Sequence, residues 1–193
     1  MKWLLTITMA LLLNGCVSSS AIASQLAKDE VTRSVETQQI VASKNIFNNP
    51  VISKSTSFAK YAESIENRKK LNKVVIRLIH RVGKTPYVPT GSSIYGWDCS
   101  GMVRWAYEQL GVEVPHSATA QAYVGERVSK KERKVGDIVI FGYRGSKSFY
   151  HSAIYIGKDK VVNANRGFGG THIQPLSDYE NNRIIYVRVI PTA

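Results

Sequence analysis

At 193 residues and a net charge of +12, the chain has room for one ordinary domain with extensions, and 44% hydrophobic content is enough for a core. The charge suits a polyanionic partner or a solvated basic face, and composition does not separate the two. Two cysteines, Cys16 and Cys99, with Cys16 inside an export segment, exclude a disulfide framework, and the absence of an aromatic-basic motif argues against nucleic acid as a partner.

The chain begins MKWLLTITMALLLNGC. Lys2 supplies a positive start, and Leu4 to Leu13 form an apolar run too short to span a bilayer as a mature helix. Residues 1–15 therefore read as an export signal. Leu13-Asn14-Gly15-Cys16 is similar to the bacterial lipobox, in which the cysteine is lipidated and becomes the mature N-terminus. An ordinary signal peptide ending in a cysteine is the alternative. A lipid on Cys16 would anchor the chain to a membrane. In an enterobacterial host, Val17 in place of Asp would direct it to the outer membrane, facing the periplasm, within the cell envelope.

Residues 16–60 read as the lipidated cysteine and a tether with little fixed structure, rich in Ser, Thr, Gln, Asn, Ala and Lys. Val31 and Val35 hint at a weak helix, and Asn48-Asn49-Pro50 marks a break. A domain is expected over 61–193. Ile65, Leu71, Val74, Val75, Leu78, Ile79 and Val82, mostly three and four apart, predict an amphipathic helix ending at Gly83. Pro86, Pro89, Gly91 and Gly96 then make a loop.

The next stretch is Trp97-Asp98-Cys99-Ser100-Gly101-Met102-Val103-Arg104-Trp105-Ala106-Tyr107. Asp98 is a good N-cap, Val103, Ala106, Tyr107 and Leu110 keep helical spacing, and Gly111 stops the run. Cys99 thus sits at a helix N-terminus, where the macrodipole and unsatisfied N–H groups favour the nucleophilic thiolate. A buried structural cysteine is the competing reading. Strands are predicted at Ile138-Val139-Ile140-Phe141, at Ala153-Ile154-Tyr155-Ile156 opened by His151, at Val161-Val162-Asn163-Ala164, and from Arg183 to Ile190. Helices followed by antiparallel strands give an α+β fold.

A cysteine nucleophile needs a base, and the base needs a group to orient it. Among four histidines, His80 lies on the packing helix, His116 follows a proline in a connector and reads as a substrate-side or loop residue, and His172 follows Gly169-Gly170 in an expected surface loop. His151 opens a buried strand and is the best base. Asn163, on the next strand, is either its partner, accepting Nδ1–H and presenting Nε2 to the thiol, or a polar residue near a turn; spacing alone leaves both open.

Asp98-Cys99-Ser100-Gly101, Gly136-Asp137-Ile138-Val139-Ile140-Phe141 and His151-Ser152-Ala153-Ile154-Tyr155-Ile156-Gly157 together resemble the NlpC family of papain-like cell-wall cysteine peptidases, over roughly Ile65 to Ala193. The lipobox and tether resemble the layout of the Spr/NlpC lipoproteins. The resemblance implies N-terminal helices packed on an antiparallel sheet and hydrolysis of amide bonds in peptidoglycan stem peptides, by a monomer with no metal and no cofactor. It implies Cys99 as nucleophile, His151 as base, Asn163 at the third position, usually His, and Tyr87, Asp98 and Ser100 lining the substrate pocket. Asp98 caps the helix, contacts a substrate amine, or does both. The family's Gly-Gly pair after the tyrosine is reduced here to Val88-Pro89-Thr90-Gly91. A catalytically silent wall-binding lipoprotein on the same fold is the alternative function.

Overall fold

The computed structural model describes residues 55–191 and, ahead of them, helical backbone at 25–26, 28–34 and 36–37. The export signal, Cys16 and the break at Asn48-Asn49-Pro50 lie outside the described residues. Helix α1 spans Ser55–Ile79. It begins ahead of Ile65, the first residue of the predicted helical pattern, and neither glycine nor proline interrupts the chain between Pro50 and Gly83. Leu71, Val74, Val75, Leu78 and Ile79 are its buried face. Two tighter bonds, Arg81 N–H to Leu78 and Val82 N–H to Ile79, end it, and Gly83 turns the chain at φ +70°.

A two-residue ladder, β1 (Ser92–Ser93) with β2 (Gly96–Trp97), leads into α2 (Cys99–Glu108). The short α3 (Ala118–Gln121) follows. The rest is one six-stranded antiparallel sheet, β3 (Glu126–Val128), β4 (Ile138–Gly142), β5 (His151–Gly157), β6 (Lys160–Asn165), β7 (Gly170–Pro175) and β8 (Arg183–Arg188), in the order β3-β8-β4-β5-β6-β7.

The sheet is covered on both faces. Ile138, Ile140, Ile154, Ile156 and Val162 meet α1 and α2 through Val75, Leu78, Met102, Val103 and Tyr107. Val139, Phe141, Ala153, Tyr155 and Val161 face the other way, under Leu176 and Tyr179 of a 3₁₀ turn (Leu176–Tyr179). That is why β4 reads as an unbroken apolar run rather than an alternating one.

Two expectations need correction. His172 is not in a surface loop: it lies in β7, directly opposite Asn163. Gly170–Pro175 carries one aliphatic residue, Ile173, and so has none of the apolar alternation by which a strand is recognised. The tether is also not structureless throughout. Val31 is 1% exposed within the main core, Lys28 Nζ donates to the Val82 carbonyl at 3.2 Å, and Glu30 pairs with Lys158 at 2.7 Å.

Candidate active site

Asp98 builds the start of α2. Its backbone is extended (φ −89°, ψ −176°), as an N-cap requires, and its Oδ1 accepts the Gly101 N–H at 2.7 Å. The same oxygen accepts the Ser100 hydroxyl at 3.0 Å and lies 2.8 Å from His116 Nε2, while Oδ2 accepts the Thr90 N–H at 3.0 Å. Burial acts to raise the Asp98 carboxyl, but the bonds from Gly101, His116 and Ser100 outweigh it and hold the group below its usual range. Both Asp98 and Ser100 are therefore engaged in the cap. The tie from His116, in a separate segment, joins residues 18 positions apart. No local pattern in the sequence signals this tie to the cap.

The Val88–Gly91 loop closes over this helix start. The Gly91 carbonyl accepts the Asp98 N–H at 3.0 Å, and a Cβ on Gly101 would collide with that carbonyl. Thr90 takes φ +60°, a conformation that favours glycine, and its N–H bond to Asp98 holds it there.

Cys99 is the first residue of α2 and is partly exposed. Burial is the largest influence on its thiol and raises its pKa. The backbone N–H groups of Ser152, Ser100 and Cys99 itself work the other way, Asp98 adds to the rise, and the net shift is upward. The expectation that the helix terminus would favour the thiolate is thus reversed by desolvation. The influence of the Ser152 N–H sets the thiol beside the start of β5, one residue from His151.

His151 is 8% exposed, and its ring stands beside the contacting pair Phe141 and Tyr179, at 5.5 Å and 5.9 Å. Its Nε2 lies 3.1 Å from Asn163 Oδ1. An amide oxygen only accepts, so Nε2 carries the proton and Nδ1 holds the lone pair. The expected assignment, Nδ1–H to Asn163 with Nε2 free, is the wrong way round. The two residues do meet as expected. Burial, partly offset by Asn163, lowers the imidazole pKa to about 4. Tyr87 is half-buried, and its hydroxyl pKa is raised by burial and by the Cys99 and Asp98 charges, which places it beside them. His172 takes no part through its ring, which turns to Phe168 with Nε2 3.0 Å from that carbonyl.

The His151 shift carries a pH prediction. Its folded pKa lies below the unfolded value of 6.5, so the unfolded chain binds a proton that the folded chain refuses. The contribution is complete above 6.5 and is lost as pH falls to about 4, at a cost of about 3 kcal/mol. Thermal melts across this range should show a shallower decline for His151→Gln than for the parent. Parallel declines would contradict the shift.

Among the described residues, no group of three or more His, Cys, Asp or Glu side chains is placed to hold a metal ion.

The family model for the NlpC/P60 family matches residues 83–189. The chain is 39% identical over 83 residues to the bifunctional muramidase/DL-endopeptidase CwlT of Bacillus subtilis, covering 42% of this chain and 25% of that protein. It spans 22% to 38% of other curated relatives it matches. A crystal structure of an NlpC/P60 family protein from Bacillus cereus matches with a TM-score of 0.51 and 29% identity, over 55% of this chain and 36% of that one. RipD of Mycobacterium tuberculosis, a non-catalytic NlpC/p60 domain protein adapted to peptidoglycan binding, matches with a TM-score of 0.53 over 62% of this chain and 96% of that one. At 22% identity, this likeness shows the fold.

Proposed function

The chain belongs to the NlpC/P60 family, and on that premise we propose that it is a cysteine endopeptidase that cleaves amide bonds in the stem peptides of peptidoglycan. The observation that carries the proposal is the joint placement of Cys99 at the start of α2, against the Ser152 N–H, and of a buried His151 whose protonated Nε2 is held by Asn163.

With the thiol pKa raised and the imidazole pKa lowered, the resting pair is neutral at pH 7. Nδ1 of His151 then takes the thiol proton as Cys99 sulfur attacks the substrate carbonyl carbon. The tetrahedral oxyanion is stabilised by the Cys99 N–H at the helix start. As the intermediate collapses, the C–N bond breaks and His151 returns the proton to the leaving amine, leaving a thioester. His151 next accepts a proton from water as that oxygen adds to the thioester carbonyl. The C–S bond breaks, the sulfur recovers its proton, and the free acid departs. Tyr87 lines the cleft. Asp98 and Ser100 shape it from within the cap, and a substrate amine reaching Asp98 would share Oδ2 with Thr90.

A silent peptidoglycan-binding protein is the second reading, favoured by the RipD fold and by Thr90 and Asn163 standing where the family usually has Gly and His. Adding the purified protein to sacculi separates the two: release of soluble peptide-bearing fragments supports the peptidase, and co-sedimentation without release supports the binder.

We place the protein on a membrane of the cell envelope through a lipid on Cys16, a reading supported by Leu13-Asn14-Gly15-Cys16 after a short apolar run. Cys16→Ser should move the protein out of the membrane fraction. Its retention there after a high-salt wash would refute the anchor.

A further inference from the structure

The hydrogen bonds at His151 do not end at Asn163. The Asn163 side chain is fully buried; its Nδ2 donates to Gln174 Oε1 at 3.1 Å and to the His172 carbonyl at 3.4 Å. Gln174, 7% exposed on β7, accepts two more bonds at Oε1, from Asn165 Nδ2 at 3.0 Å and from the Tyr179 hydroxyl at 3.0 Å. Its Nε2 donates to Asp178 Oδ2 at 3.2 Å.

The direction of every bond in this chain follows from two anchors: Asp178, and Asn165, whose Oδ1 accepts the Gly167 N–H at 2.8 Å and whose NH₂ therefore faces Gln174 Oε1. An ionised carboxylate only accepts, so Asp178 faces the NH₂ of Gln174. The Gln174 carbonyl then faces Asn163 and accepts there, so Asn163 presents its NH₂ to Gln174 and its carbonyl to His151. That carbonyl in turn requires the proton on Nε2. The two ends of a side-chain amide are nearly the same shape, so packing does not choose between them; hydrogen-bond polarity does.

We infer that Gln174, held by Asp178 and Asn165, is a positioning residue: it fixes the direction of the Asn163 amide and, through it, the Nε2–H tautomer of His151. The inference rests on the reading of His151 as the base. Without the Gln174 acceptor, the Asn163 NH₂ keeps only its longer bond to His172 and can turn towards the ring. Nε2 must then accept, the ring proton moves to Nδ1, and the nitrogen that should take the thiol proton is blocked.

The test compares the purified parent with Gln174→Met, which has no acceptor, and Gln174→Glu, which keeps one. Imidazole ¹⁵N shifts report the tautomer, and steady-state muropeptide hydrolysis reports kcat and KM. The parent and Gln174→Glu should show His151 as Nε2–H alone. Gln174→Met should show both tautomers and lose about tenfold in kcat at unchanged KM, a part of the roughly 10²–10⁴-fold that a positioned base supplies. Asp178→Ala combined with Asn165→Ala removes both fixed anchors of Gln174 without emptying a buried site, leaving a Tyr179 hydroxyl that can donate or accept, and should also show both tautomers; it decides the matter if Gln174→Met fails to fold. Pure Nε2–H in every folded variant, or equal losses in Gln174→Met and Gln174→Glu, would overturn the inference. If the parent cleaves no muropeptide, the peptidase reading fails, while the ¹⁵N shifts still decide whether Gln174 sets the tautomer.

Discussion

Cys99→Ala is expected to abolish muropeptide hydrolysis, by at least about 10⁴-fold in kcat, because no other side chain in the site can form the thioester. The fold should survive. The bond that starts α2 runs from the Gly101 N–H to Asp98, and alanine at position 99 leaves both groups in place. Alanine also suits the first turn of a helix, so the stability change should stay within about 1 kcal/mol. The measurement is turnover on purified muropeptides, with circular dichroism as the folding control. Parent-like turnover by a folded Cys99→Ala protein would remove the cysteine from the mechanism.

His151→Ala should be nearly as severe, at roughly 10²–10⁴-fold, since the neutral thiol would have to ionise without a base. The structure sharpens the comparison with His172→Ala. Both histidines lie close to Asn163, one through its ring and the other through its backbone carbonyl. Alanine at 172 keeps that carbonyl and removes only a ring that contacts Phe168. Activity should therefore fall sharply for the first variant and stay near the parent's for the second. Equal losses would mean that the base has been misassigned.

These expectations draw on features that were unevenly legible in the sequence. The start of α2 was legible because each of its signals is local: an acid cap, small residues, helical spacing and a glycine stop. β4, β5 and β6 were legible from their apolar runs. β7 was not, because Gly170–Pro175 packs mainly polar side chains, and one of them, Gln174, serves Asn163 rather than the apolar core. His116 and Asp98 lie far apart in sequence, so their contact depends on how the loop after α2 folds back. The meeting of His151 and Asn163 could be expected from adjacent strands of one hairpin. Which ring nitrogen they share could not, because it depends on a bond network that reaches the 3₁₀ turn. The thiol shift was missed for a similar reason: a helix terminus is visible in sequence, whereas the depth at which the chain buries it is not.

The proposed activity is hydrolysis of an amide bond of the stem peptide. Digestion of defined muropeptides by the purified protein, followed by mass spectrometry of the products, tests it most directly. The predicted result is two products whose masses sum to the substrate plus one water, with a new amine and a new carboxyl group at a stem-peptide bond and the sugars intact. Muropeptides that return unchanged, or that are cut only between sugars, would contradict it.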